Sequence, residues 1–275
     1  MNIAGLPNFA NLDLSGEAAF AAERMEARGR EPSSARMFDA LVAPLLPDAP
    51  GARILEVGAG TGTLSRRIHR ARPEAKVFAS DKSEGMLEVA RALADAQQAR
   101  VEICRWDVVD EAAFPFGDAP FDLIVSSVMV PYLSDAEVED LVTRLARRLV
   151  PGGTLAFIEQ DLLTDSVNLP SFDLLRRVFA RDGRALKRTL ALGLRPLLRA
   201  AGLQLLPRAS FLWTDDHFGP YVRNVLTTAA DDALKAGRIT AEERQQWWRT
   251  LEALAEEGDF YYGLVYHRVA GTRPR

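Results

Sequence analysis

Three glycines at every second position, directly after an apolar run that ends in a carboxylate, constrain this chain more than any other feature. The segment reads Ile54-Leu-Glu56-Val-Gly58-Ala-Gly60-Thr-Gly62. It places a buried strand, a tight turn and a helix start in immediate succession. Glycine is needed where the backbone turns with positive φ, and where a side chain would hold a ligand off the amides. The amides of residues 61–64 open the next helix and offer donors with no helical acceptor, a setting that receives nucleotide-like ligands. Spacing narrows the choice of ligand. A dinucleotide fingerprint reads G-x-G-x-x-G/A, but counting from Gly58 the sixth position is Thr63, so the third glycine falls one place early. What stands is E-x-G-x-G-x-G.

This pattern resembles motif I of the class I S-adenosylmethionine-dependent methyltransferases, in which an acid and these glycines close the first strand. Within that class the chain looks like the small-molecule, ubiquinone/menaquinone-biosynthesis-like group. The resemblance implies a Rossmann-like, doubly wound α/β fold: a seven-stranded sheet, mostly parallel, with an antiparallel last strand. It also implies S-adenosyl-L-methionine as cofactor and S-adenosyl-L-homocysteine as product. On the motif itself it points to Glu56, Gly58, Ala59, Gly60, Gly62 and Thr63.

Later segments follow in the order such a sheet requires. Lys76–Asp81 reads as a short buried strand ending in an acid, about twenty residues past the last glycine, where these folds hold a ribose diol. Asp81 is the expected ribose ligand, with Lys82 beside it. The family lays an apolar residue from the following segment against the adenine, which here is Met86, on a helix expected over 84–96. A third strand over residues 100–107 also ends in an acid, and the resemblance assigns Asp107 and the Val108 amide to the adenine amino group. The apolar, β-rich run over 120–127 is the expected central fourth strand, with Ser126 facing the sulfonium side. A helix over 138–149, the Pro151-Gly-Gly break and a fifth strand over 154–159 complete an alternation that argues for βαβ units.

The chain divides into an N-terminal helical lid (1–50), the cofactor-binding core (51–160), a helical substrate-side insertion (161–203) and C-terminal strands and helices that complete the sheet (204–275). In the lid, helices are expected over 14–30 and 35–45, and Arg36 is placed to reach the cofactor carboxylate. The insertion holds eight basic residues (Arg176, Arg177, Arg181, Arg184, Lys187, Arg188, Arg195, Arg199) against four acids (Asp161, Asp165, Asp173, Asp182), whereas the chain carries a formal net charge of −4. That local excess favours an anionic acceptor. Strands are expected over 208–213 and 260–269, separated by helices over 221–236 and 240–257, with Thr240-x-x-Glu243 reading as a capping box.

Composition excludes several classes. A hydrophobic content of 48% is that of a globular protein, and no apolar run approaches the roughly 20 residues of a membrane span. The N-terminus lacks a secretory pattern, so a cytoplasmic location is expected. The single Cys104 cannot form an internal disulfide, and in the middle of a strand it reads as a buried thiol, which removes the covalent cysteine route of pyrimidine-carbon methylation. With an acidic net charge, nucleic acid is not the expected partner; a small-molecule methyl acceptor is, with the protein a monomer or homodimer. No metal is expected.

Methyl transfer from a sulfonium is an in-line displacement, for which the protein mainly supplies orientation and a dry site. A base is needed only if the bound acceptor is protonated. Candidates at the carboxyl ends of strands are Tyr132, Asp161 and His217. The segment Ser127-Val-Met-Val-Pro131-Tyr132 departs from the Asp/Asn-Pro-Pro-Tyr signature, so nitrogen is not assigned as the target atom, and oxygen, nitrogen and carbon all remain open. Two other readings are an NAD(P)-dependent oxidoreductase and a protein that binds S-adenosylmethionine without methylating.

Overall fold

Apolar runs buried on both faces build a central parallel sheet. The computed structural model, which describes residues 12–110, 114–180 and 193–275, forms it from β1 (Arg53–Val57), β2 (Lys76–Asp81), β3 (Val101–Arg105), β4 (Phe121–Ser127) and β5 (Leu149–Val167). Three further strands follow: β6 (Gln204–Leu205), β7 (Ala209–Asp215) and β8 (Tyr262–Thr272). The order is β3-β2-β1-β4-β5-β8-β6, with β7 also paired to β8. Strands β1 to β5 are parallel, and β8 runs antiparallel to β5. From β1 the sheet grows one way through β2 and β3 and the other way through β4. The reversal leaves a crevice above the carboxyl ends of β1 and β4, the place where open α/β sheets receive ligands.

Helices, numbered over the described residues, are α1 (Leu12–Ser15), α2 (Ala18–Arg30), α3 (Pro32–Leu41), α4 (Thr63–Ala71), α5 (Glu84–Ala96), α6 (Asp135–Arg147), α7 (Phe172–Val178), α8 (Leu194–Ala200), α9 (Pro220–Lys235) and α10 (Ala241–Glu257). Two of them begin with full capping boxes, Ser134 with Glu137 and Thr240 with Glu243. None of the described helices is long and apolar enough to cross a membrane.

Alternation along the strands divides the core in two. Ile54, Val77, Leu123 and Ile158 join one buried cluster with Phe38 of α3 and Ile68 of α4; Leu55, Phe78, Ile124 and Phe157 join the other with Leu141 and Leu145 of α6 and Leu198 of α8. Both sets are fully or nearly fully buried. Truncating one such leucine to alanine costs about 2–5 kcal/mol. A smaller cluster of Leu12, Ala21, Ala22 and Met86 seats α2 on α5, so the N-terminal helices are packed against the core.

Two expectations change. The sheet has eight strands where seven were expected, because Pro207 interrupts the run that precedes β7 and leaves β6 as a separate two-residue strand. Strand β5 runs far beyond residue 159. Partners on β8 continue to Gly263 and Tyr262 past an irregularity between Asp161 and Ser166, so residues 161–167 are strand although the whole 161–203 segment reads as helical. Further on, α7 and α8 are helical; Arg181, Asp182, Arg184, Lys187 and Arg188 lie outside the described residues.

Candidate functional site

The motif I turn lies at the crevice. Gly58 (φ 72°) and Gly60 (φ 54°) stand in the left-handed region, where a side chain costs about 1–2 kcal/mol. Beside them opens a cavity of about 280 Å³, close to the lower bound of about 300 Å³ for small-molecule sites. Its lining combines Gly58 and Gly60 with Asp81, Lys82 and Met86 from the end of β2 and the start of α5. Trp106, Asp107 and Val108 follow β3, Ser127, Val128, Met129 and Tyr132 follow β4, and Met25 and Arg28 come from α2.

Local hydrogen bonds hold the acids in place. One oxygen of Asp81 accepts the Gly60 amide at 2.8 Å and the other the Ser83 amide at 3.0 Å. Burial nevertheless raises the Asp81 pKa, outweighing those two amides. Asp107 accepts the Val109 amide at 3.2 Å. The side chain of Met86 is 1% exposed yet lines the cavity.

Other expected cofactor residues take structural places. Glu56 is buried beneath the turn, where it accepts the amide and hydroxyl of Ser65, and burial carries its pKa up to about 7. With Ala59 and Thr63 it borders a second, smaller cavity that shares Met25, Arg28, Gly58 and Ser127 with the first. Thr63 donates to Glu26 at 2.8 Å. Gly62, at φ 71°, is the N-cap of α4 and borders neither cavity. Ser126 is fully buried in β4; its neighbour Ser127 lines both cavities, since one residue along a strand changes the face. Arg36 is exposed and bonded to Ser33 at 2.7 Å, away from both cavities.

Of the three catalytic candidates, only Tyr132 lines the main cavity. Asp161 pairs with His267 at 3.3 Å on the sheet. His217 is about half exposed and lies 3.2 Å from Glu31 and 3.6 Å from Asp215, in a corner that ties the α2–α3 junction to the end of β7. Burial works against its charged form, but Asp216, Asp215 and Glu31 outweigh it and raise its pKa. The insertion arginines also have local duties: Arg177 bridges Asp173 and Glu243, and Arg195 bonds the Leu206 carbonyl.

Sequence reading missed several groups. Met25 lies over the turn, since a Cβ added at Gly60 would stand 2.4 Å from its Cε. Val128, a β-branched residue at φ 56°, lines the cavity in a conformation such side chains rarely adopt. The Trp106 indole Nε1 is buried with no partner among the described residues. Arg28 borders both cavities and is hydrogen-bonded to Tyr266. The only available signal for Arg28 was its i, i+3 spacing from Met25 on one amphipathic helix.

A family profile described as a methyltransferase domain matches residues 54–153. The chain is 33% identical over 135 residues to the ubiquinone/menaquinone biosynthesis C-methyltransferase UbiE of Cereibacter sphaeroides, covering 49% of this chain and 52% of that protein. It is 37% identical over 114 residues to a malonyl-[acyl-carrier protein] O-methyltransferase of Hahella chejuensis, covering 42% and 38%. These matches thus span about half or less of each relative's length. Among solved structures, phosphoethanolamine N-methyltransferase 2 of Haemonchus contortus in complex with S-adenosyl-L-methionine aligns with TM-score 0.52 at 16% identity, covering 98% of this chain and 60% of that one. At that identity the likeness concerns the fold. Motif, strand order and profile agree: residues 54–153 match a methyltransferase domain, and the core resembles the class I S-adenosylmethionine-dependent methyltransferases.

Proposed function

We propose that the protein transfers a methyl group from S-adenosylmethionine to a small molecule bound at the Arg28–Tyr132 end of the cavity. The observation that carries this reading is the convergence of Gly58, Gly60, Asp81, Met86, Asp107 and Val108 on one cavity at the switch point of the sheet.

The residues present fit such a cofactor. Asp81 has the acceptor oxygens for a ribose diol, already oriented by two amides. Asp107 and the Val108 amide supply the acceptor and donor that an adenine edge needs, and Met86 gives the ring an apolar surface. The unpartnered Trp106 N–H is a buried donor in the same wall. When bound, S-adenosylmethionine supplies a methyl group on a cationic sulfur that departs as a neutral thioether. The chain's own task is to orient the acceptor and exclude water. Tyr132 is the titratable group placed to accept or relay an acceptor proton. In this reading α2 is part of the lid, covering the glycine turn with Met25 and the acceptor end with Arg28.

Calorimetry with S-adenosylhomocysteine tests the binding half, and transfer of labelled methyl to small-molecule extracts tests the chemistry. Micromolar binding with labelled product is expected. Binding of NAD(P) in place of S-adenosylhomocysteine would sink the reading.

A further inference from the structure

Arg28 is a cation in the wall of the cavity whose charge is balanced by no carboxylate within ion-pair distance among the described residues. Its surroundings are phenolic: Tyr266 bonds to it, and the oxygens of Tyr266, Tyr221 and Tyr132 outweigh the burial that opposes its charge. Tyr266 and Tyr221 are themselves buried, and Gln160 donates to the Tyr266 oxygen at 2.6 Å. One acid that feels its charge is Glu159. That carboxyl is fully buried, accepts the Val130 amide at 3.4 Å through one oxygen, and leaves the other with no partner. Burial pushes the Glu159 pKa up to about 8, so near neutrality it is largely uncharged and does not cancel the guanidinium. Desolvating a charge is costly unless a counter-charge arrives.

Resting on the methyl-transfer reading above, we propose that Arg28, framed by Tyr132, Tyr221 and Tyr266, receives a carboxylate or phosphate carried by the methyl acceptor. A planar guanidinium matches either anion with two parallel N–H donors. The cofactor's own carboxylate is the other source of the same chemistry. Position favours the acceptor: apolar Met25 covers the glycine turn, and Arg28 stands one helical turn further on, among side chains from β5, β8 and α9. This transfers anion recognition from the 161–203 arginines, of which Arg177 is occupied by Asp173 and Glu243, to a residue of the lid.

The test uses full-length protein saturated with S-adenosylhomocysteine, titrated with benzoate and with benzamide as charged and neutral probes of one shape. Benzoate is expected to bind at least about tenfold more tightly, with the preference falling as salt rises. Arg28→Met should erase the preference and Arg28→Lys retain part of it, with S-adenosylhomocysteine affinity changing less than about threefold in both. Equal or undetectable binding of the two probes to the wild-type protein overturns the proposal, whatever the variants do. So does Arg28→Met weakening S-adenosylhomocysteine about tenfold or more while the benzoate preference persists, which assigns the guanidinium to the cofactor. Loss of S-adenosylhomocysteine binding by the wild-type protein is a separate result, and it removes the methyl-transfer reading itself.

Discussion

The two ends of the cavity are built on different principles. The proposed adenosine end draws on one stretch from Gly58 to Val108, where strand, turn and helix succeed each other and an acid stands at or just past the end of two consecutive strands. Backbone path places nearly everything there: glycines turn the chain, and amides hold Asp81. At the proposed acceptor end Arg28 of α2 and Tyr132 after β4 line the cavity, and around Arg28 stand Tyr221 of α9 and Tyr266 of β8, with Gln160 of β5 bonded to Tyr266. Side chains do the work there, and they come from positions 28 to 266 of the chain. The first arrangement suits a ligand common to many enzymes; the second can change its selectivity without disturbing the first.

If the adenosine end depends on the bare glycine turn, Gly60→Arg should have the largest effect. Its Cβ would press on Met25 and its side chain would fill the cavity at a φ that favours glycine. Affinity for S-adenosylhomocysteine is expected to fall at least about a hundredfold by calorimetry while circular dichroism stays native. Unchanged affinity would break the comparison at its stronger end.

Asp81→Ala comes next. It removes a charged acceptor whose hydrogen bonds are worth about 1.5–3 kcal/mol, a loss of about ten- to a hundredfold in affinity. Asp107→Ala should cost less, because the Val108 amide remains. The reverse ranking would mean that the ribose and adenine roles are exchanged.

The acceptor end is probed through pH. Glu159 has a folded pKa of about 8 against an ordinary 4.5, raised by burial. Between those values the unfolded chain releases the proton and the folded chain keeps it, so Glu159 lowers stability as pH rises through this window, and the loss levels off above about 8. Glu159→Gln has no such proton to release. Its Tm relative to wild type should therefore climb from pH 4.5 to about 8, at about 2–4 °C per kcal/mol. Glu56 titrates in both proteins and drops out of the difference. Parallel Tm profiles would mean that Glu159 is ionised throughout, as a counter-ion to Arg28.

How far sequence carries follows from the same contrast. Asp81, Asp107 and Met86 were legible because each stands at or just after a strand end, at a spacing set by one βα unit. Ser126 was read one residue away from the cavity-lining Ser127, since an apolar run shows where a strand lies and not which of its last two residues turns outward. Arg28 was missed while Arg36 was named, since both are helical arginines and only packing distinguishes them. Asp161 lies within the extended β5 and His217 two residues past β7, and their partners, His267 for the first and the Glu31–Asp215 pair for the second, hold them away from the cavity.

Local order alone determined the alternation of strands and helices, the glycine turn and the acids that border the cavity, because these follow from periodicity, φ preference and short-range spacing. Only the tertiary structure decided the extension of β5 along β8 and the gathering of three phenols around an arginine of α2. Contacts between residues far apart in sequence depend on which faces meet once the sheet has closed and the helices have packed, and no local pattern encodes that meeting.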